Sequence, residues 1–251
     1  MTLLGIEPTT QLMYSLGTIG MAIGVVVAVR GLAGSTERVV TGRQSRLVYA
    51  LMTWTCGVAT LSYFGMYLGI GAFTVDGHYI ETLRYVDWAL TTPALVAVIG
   101  ILAGAGRRTI VAAALADFLM IAVGYGASVT SGALKWAGFL VSTAFFIVLA
   151  YYLFVPFGRV SKGRSFEKRA LFEKVRNLTG VLWFVYPVVW IFGPSSLDVM
   201  GVTATAAVVT YLDVTAKTGY TFILASSQGM FDGLLSRSVD DSSQLLADAD
   251  D

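Results

Sequence analysis

Asp213 and Lys217 stand four residues apart in an apolar run, so on a helix they share one face. Arg84, Asp87 and Thr91, spaced by three and four in another run, share a face by the same geometry. An ionised side chain at the centre of a bilayer costs several kcal/mol, which makes each such residue a candidate for function. If the two faces meet, an ammonium and a guanidinium oppose two carboxylates. The set is then nearly neutral, which is how charge persists in a low dielectric. A lysine taken out of water is readily neutralised and becomes a nucleophile suited to Schiff-base formation with an aldehyde. The competing reading is an ion network that only ties two helices together. Trp183, Tyr186 and Trp190, at helical spacing, and Trp88 could wall a flat polyene, although an aromatic stripe also serves as ordinary core.

These residues need a membrane around them, and the composition supplies one. The chain has 251 residues, 56% hydrophobic and 13% charged, with a mean hydropathy of +0.72. Soluble domains carry about 25% charged residues. Seven stretches have the roughly 20 residues needed to cross a bilayer: about 11–31, 46–69, 80–103, 108–129, 133–156, 172–194 and 200–226. The third begins in polar sequence at Glu81, Arg84 and Asp87, and its later half, Ala89–Ala103, carries it. None alternates as a barrel strand does. The expectation is an all-α membrane protein, a seven-transmembrane-helix bundle over residues 1–227 with a disordered polar tail at 228–251.

Charge sets the orientation. Arg30, Arg38, Arg43, Arg46, Arg107, Arg108, Arg159, Lys162, Arg164, Lys168, Arg169, Lys174 and Arg176 all fall on one side, thirteen of the seventeen basic residues. The opposite loops offer Lys135, with Arg84 a turn inside the third helix. The asymmetry places the N-terminus outside and the C-terminus in the cytoplasm, in a multi-pass cell-membrane protein. A net charge of +1 suggests no nucleic-acid partner. The single cysteine, Cys56, excludes an intramolecular disulfide and reads as a packed or lipid-facing thiol. Residues 1–10 lack the basic cluster of a signal peptide, and His78 reads as a solvated loop histidine. Gly20/Gly24 and Gly100/Gly104 have a spacing compatible with close helix packing and a homo-oligomer, without establishing one.

Arg84-Tyr-Val-Asp-Trp-Ala-Leu-Thr-Thr-Pro93 resembles the third-helix signature of archaeal microbial (type 1) rhodopsins. Leu182-Trp-Phe-Val-Tyr-Pro-Val-Val-Trp190 resembles their sixth helix and Tyr211-Leu-Asp-Val-Thr-Ala-Lys217 their seventh; the likeness spans about residues 10–226. It implies all-trans retinal bound covalently to Lys217, with Asp87 and Asp213 as counterions and Arg84 and Thr91 in support. It places Tyr63, Tyr85, Trp88, Trp183, Tyr186 and Trp190 around the retinal, together with Leu95, Met120, Gly124, Ser142, Thr143 and Phe146. Asp117 matches a neutral carboxylic acid bonded across helices to Thr92.

The same resemblance bears on sensor against pump, which share this scaffold. Asp87 argues against a chloride pump, whose halide it would repel, and suits proton acceptance. Fast proton pumps carry a donor carboxylate eleven residues beyond the acceptor, where this chain has Val98, and a release pair where it has Ser195 and Thr205. Tyr211 matches a tyrosine with which blue-absorbing sensory rhodopsins contact a transducer, whereas Ala216 matches the pumps. The mixture resembles sensory rhodopsin II, or the middle rhodopsins between it and the pumps; Arg107–Trp136 also resembles sensory rhodopsin I, but that class has a sixth-helix histidine where this chain has Asn177. The implied protein is a photoreceptor rather than an enzyme. It would signal to a methyl-accepting-type membrane transducer of a halophilic archaeon, with the sixth helix, interrupted by Pro187, as a moving part. A slow light-driven outward proton pump is the alternative.

Overall fold

The computed structural model describes residues 7–33 and 42–227. Residues 1–6, Arg38 and the expected tail at 228–251 lie outside the described residues. The helices are α1 (Pro8–Ala33), α2 (Gly42–Tyr67), α3 (Thr82–Ala103), α4 (Arg107–Ser128), α5 (Gly132–Phe154), α6 (Pro156–Ser161), α7 (Phe166–Trp183), α8 (Val185–Phe192) and α9 (Gly201–Ser227). α5 runs into α6 and α7 into α8, so the nine pieces make seven rods.

Prolines explain the breaks. Pro156 follows the end of α5 and opens α6, a position where its missing N–H is harmless. Pro187 cannot donate to the carbonyl four residues back, that of Trp183, and α7 ends there. Six of the rods are long and apolar enough to cross a membrane by length and composition. α9 is 27 residues long, but Asp213, Lys217 and repeated threonines reduce its apolarity.

The bundle is built for a lipid surround. Leu61, Leu140 and Val181 are 67–73% exposed, on outward faces that water would not tolerate. α3 is the most enclosed span. Its inward face carries Arg84, Asp87, Thr91, Leu95, Val98 and Leu102.

Three expectations are corrected. Glu81 does not open the third helix: a hairpin of β1 (Ala72–Val75) and β2 (His78–Glu81) precedes it, paired antiparallel from Ala72↔Glu81 to Val75↔His78. Asp76 and Gly77, at φ 48° and 81°, form the Asp-Gly turn that such two-residue hairpins favour. His78 is not a freely solvated side chain; it is half-buried, with its Nδ1 3.2 Å from the Pro194 carbonyl. The sixth rod starts at Phe166 rather than 172, its early turns carrying Lys168, Arg169, Lys174 and Arg176. Charges end the hydrophobic stretch without ending the helix, because Lys, Arg and Glu are good helix formers. Of the two readings given for Cys56, the packed one holds: its Sγ is buried 3.6 Å from Thr221 Oγ1.

Asp117, on α4, meets Thr92 of α3 at 2.6 Å. The Thr92 hydroxyl is also 2.8 Å from the Trp88 carbonyl. With one proton to give, Thr92 satisfies both contacts when it donates to the carbonyl and accepts from a neutral Asp117. Thr92→Val removes this interhelical bond. It should destabilise the protein by about 1 kcal/mol, read as a lower thermal unfolding midpoint in detergent, whereas Thr92→Ser should keep the wild-type value.

Candidate functional site

Side chains of α9 and α3 reach each other inside the bundle and bring the charged faces together. The Lys217 amine is paired with Asp87 Oδ2 and lies 3.9 Å from Asp213 Oδ2. All three side chains are at most 2% exposed. The two carboxylates are served differently. Asp213 accepts from Tyr63 Oη of α2 at 2.8 Å, Tyr186 Oη of α8 at 2.5 Å and Trp88 Nε1 of α3 at 3.1 Å. Three neutral donors on three helices replace the water it has given up. Asp87 has the amine and one weaker partner, Thr91 Oγ1, at 3.3 Å from Oδ1 and 2.7 Å from the Asp87 backbone carbonyl.

Arg84 extends the expected cluster, interacting electrostatically with Asp213 and with Glu81. Its Nη2 is 3.5 Å from Tyr14 Oη, and its Nε has no hydrogen-bond partner among the described residues. Tyr14 in turn donates to Glu81 Oε2 at 3.3 Å, and Tyr79 donates to the same oxygen at 2.7 Å. Burial pushes the Glu81 carboxyl above its usual range, opposed by Arg84 and the two tyrosine hydroxyls. The guanidinium therefore bridges the Lys217 centre and a second polar group at the hairpin end. Only Arg84 of this second group stood out in the sequence. The hairpin that carries Tyr79 and Glu81 was signalled by Asp76-Gly77, but its contact with α1 was not.

A cavity of about 140 Å³ runs from Lys217 between the rods. Trp88, Leu95, Met120, Gly124, Ser142, Thr143, Phe146, Trp183, Tyr186 and Trp190 line it, as does Tyr85 nearer the hairpin end. Phe139, Ile121 and Val209 complete the wall without having been singled out in the sequence. Tyr63 is not part of the wall; it holds Asp213. Trp88 and Tyr186 meet edge to face at 5.1 Å, and Phe139 stacks on Trp190 at 4.7 Å. A largely apolar cavity with one amine in its wall suits an apolar aldehyde, and bare Gly124 keeps room there: a Cβ would lie 3.2 Å from Ser142 Oγ.

The two ends of the bundle differ. Towards the hairpin the cavity reaches Glu81, Arg84, Ser195 and Thr205. Towards the other end, which carries Arg30, Arg43, Arg107, Arg159 and their neighbours, lies an apolar core that includes Val98, Leu102, Phe172 and Val175 and, next to Lys217 in the chain, Ala216. Among the described residues the buried carboxyl groups are Glu81, Asp87, Asp117 and Asp213, and none lies in that packing. Tyr211 points away from the site and is 68% exposed on the outer face of α9.

Comparison with known proteins agrees with this geometry. The family model described as bacteriorhodopsin-like protein matches residues 8–229. Sensory rhodopsin-1 of Halobacterium sp. (strain SG1) is 40% identical over 221 residues, 88% of this chain and 86% of that protein. The sensory rhodopsin of Halorubrum sodomense is 40% identical over 219 residues, 87% and 84% of the two. The crystal structure of a cyanorhodopsin from the cyanobacterium Calothrix sp. superposes with a TM-score of 0.82 at 28% identity, covering 88% of this chain and 96% of that one. The chain is a multi-pass membrane protein and belongs to the bacteriorhodopsin-like family.

Proposed function

We propose that the protein is a light sensor that carries all-trans retinal on Lys217 and signals through a membrane transducer. The observation that carries this reading is the asymmetry around Lys217, which has a carboxylate against it and, towards the basic end, a core without a buried carboxyl group among the described residues. The sensory-rhodopsin relatives support the same conclusion. The cavity suits retinal in its largely apolar, aromatic lining and in the single amine, that of Lys217, among its lining residues. Bound at the Lys217 nitrogen, retinal supplies light absorption and a double-bond isomerisation that reorients that nitrogen.

The residues of the chain do the rest. Trp88, Trp183, Tyr186 and Trp190 line the cavity and would confine a bound polyene, limiting the rotations open to it. Asp213, held by three donors, is the fixed counterion. Asp87, in contact with the Lys217 nitrogen and less fully bonded, takes its proton. Transfer removes the charge pair that joins α3 to α9, and the mechanical result is movement of the rod interrupted at Pro187. With Val98 in place of a carboxylate, the proton returns from water, and the deprotonated state lives long enough for a partner to respond.

The basic end faces the cytoplasm, by the asymmetry of Lys and Arg. The transducer lies in the bilayer against the outer faces of the sixth and seventh rods, where the exposed Tyr211 is a contact. A slow outward proton pump is the second reading, favoured by the Asp87 contact and by a cavity that reaches the hairpin end.

Illumination of cells making this chain alone separates the two. A sensor gives little or no sustained acidification, and pumping at the turnover of a dedicated pump would refute that assignment. Asp87→Asn should reduce formation of the deprotonated state about a hundredfold or more in flash photolysis. Val98→Asp should speed recovery of the dark state by about tenfold or more, and azide should do the same for the unaltered protein.

A further inference from the structure

Tyr220, three residues beyond Lys217, is completely buried on the basic side of the site, and its hydroxyl is hydrogen-bonded to Thr179 of α7. The Thr179 hydroxyl spends its proton on the Val175 carbonyl, at 2.8 Å. In the contact between the two side chains Tyr220 is therefore the donor and Thr179 the acceptor. Around the pair, Phe172, Val175, Leu182 and Leu224 belong to one apolar core. A polar bond set in such a layer is strong while intact and exposes two costly groups when broken, unless water enters.

The sixth rod is thus fastened to α9 at two places, one on each side of the break at Phe184. On the hairpin side, Tyr186 of α8 is bonded to Asp213. On the basic side, Thr179 of α7 is bonded to Tyr220. The Trp183 carbonyl, left without its helical donor by Pro187, lies between them. An arm pivoting at this break has to separate Thr179 from Tyr220 before the apolar layer can open.

From this geometry we infer that Tyr220 and Thr179 form a latch that controls proton return to Lys217. They are positioning residues: neither touches the reacting atoms, and both hold closed the layer through which the proton must come. The inference rests on the light-driven reading above. When the latch opens, the freed hydroxyls of Tyr220 and Thr179 offer water two polar partners beside the α9 turn that carries Lys217. That turn already presents the Thr221 hydroxyl, bonded to the Lys217 carbonyl at 3.0 Å.

Flash photolysis of the retinal-loaded full chain tests this. Tyr220→Phe keeps the ring and removes the donor; Thr179→Val keeps the shape and removes the acceptor. Each should speed decay of the deprotonated state by roughly fivefold, the rate equivalent of one neutral hydrogen bond, and leave the dark absorption band in place. The double variant should be no faster than either single one, since both remove the same bond. Thr179→Ser, which retains the hydroxyl, should restore the original rate. Unchanged or slowed decay in the single variants, or additive acceleration in the double variant, would overturn the latch. If the unaltered protein forms no deprotonated state at all, the light-driven reading itself fails.

Discussion

The structure depends on keeping one cation at the middle of a hydrocarbon layer. Lys217 is tolerable there only because Asp87 touches it and Asp213 stands 3.9 Å away. The desolvation of three ionisable groups has to be offset within a few ångströms. That requirement sets the arrangement around it. Three helices must supply donors to Asp213, α3 must present Asp87 at the level of Lys217, and the bundle must close tightly enough to exclude bulk water. Burial of α3, the most enclosed of the spans, follows from that demand.

The same constraint divides the work between the carboxylates. Tyr63, Tyr186 and Trp88 satisfy Asp213 almost completely, so a change at Lys217 disturbs it little. Asp87 has weaker secondary support and depends on the amine itself. A pair of unlike acceptors beside one nitrogen gives a proton a preferred destination. Had both aspartates been equally supported, the transfer would have no defined direction.

Polarity is unequal along the bundle as well. The hairpin end holds Arg84, Tyr14, Tyr79 and Glu81 in a connected group, continuous with the cavity. The basic end closes over Lys217 with aliphatic and aromatic packing, crossed by the Tyr220–Thr179 bond. A proton leaving Lys217 therefore has polar surroundings on one side and a barrier on the other. α7, which ends at Trp183, contributes Leu171, Phe172, Val175 and Leu182 to that barrier.

Much of this was legible in the residues. Spacing alone put Asp213 beside Lys217 and Arg84 beside Asp87, because helical periodicity fixes which side chains share a face. Stretches of about twenty largely apolar residues marked the seven rods, and the resemblance to the rhodopsins named eleven of the residues that line the cavity. Tertiary packing decided what no local pattern encodes. Arg84 was expected to face Asp87 and Asp213, and its guanidinium also meets Tyr14, because the hairpin folds Glu81 and Tyr79 against α1. Tyr63 was expected in the wall and instead supports Asp213. The bond between Thr179 and Tyr220 joins residues 41 positions apart. The sequence determined that a buried lysine with two carboxylates would cross a membrane among aromatic rings. Only the tertiary structure decided which carboxylate holds the amine and which end of the bundle is sealed, since both depend on the rotation and depth at which separate helices meet.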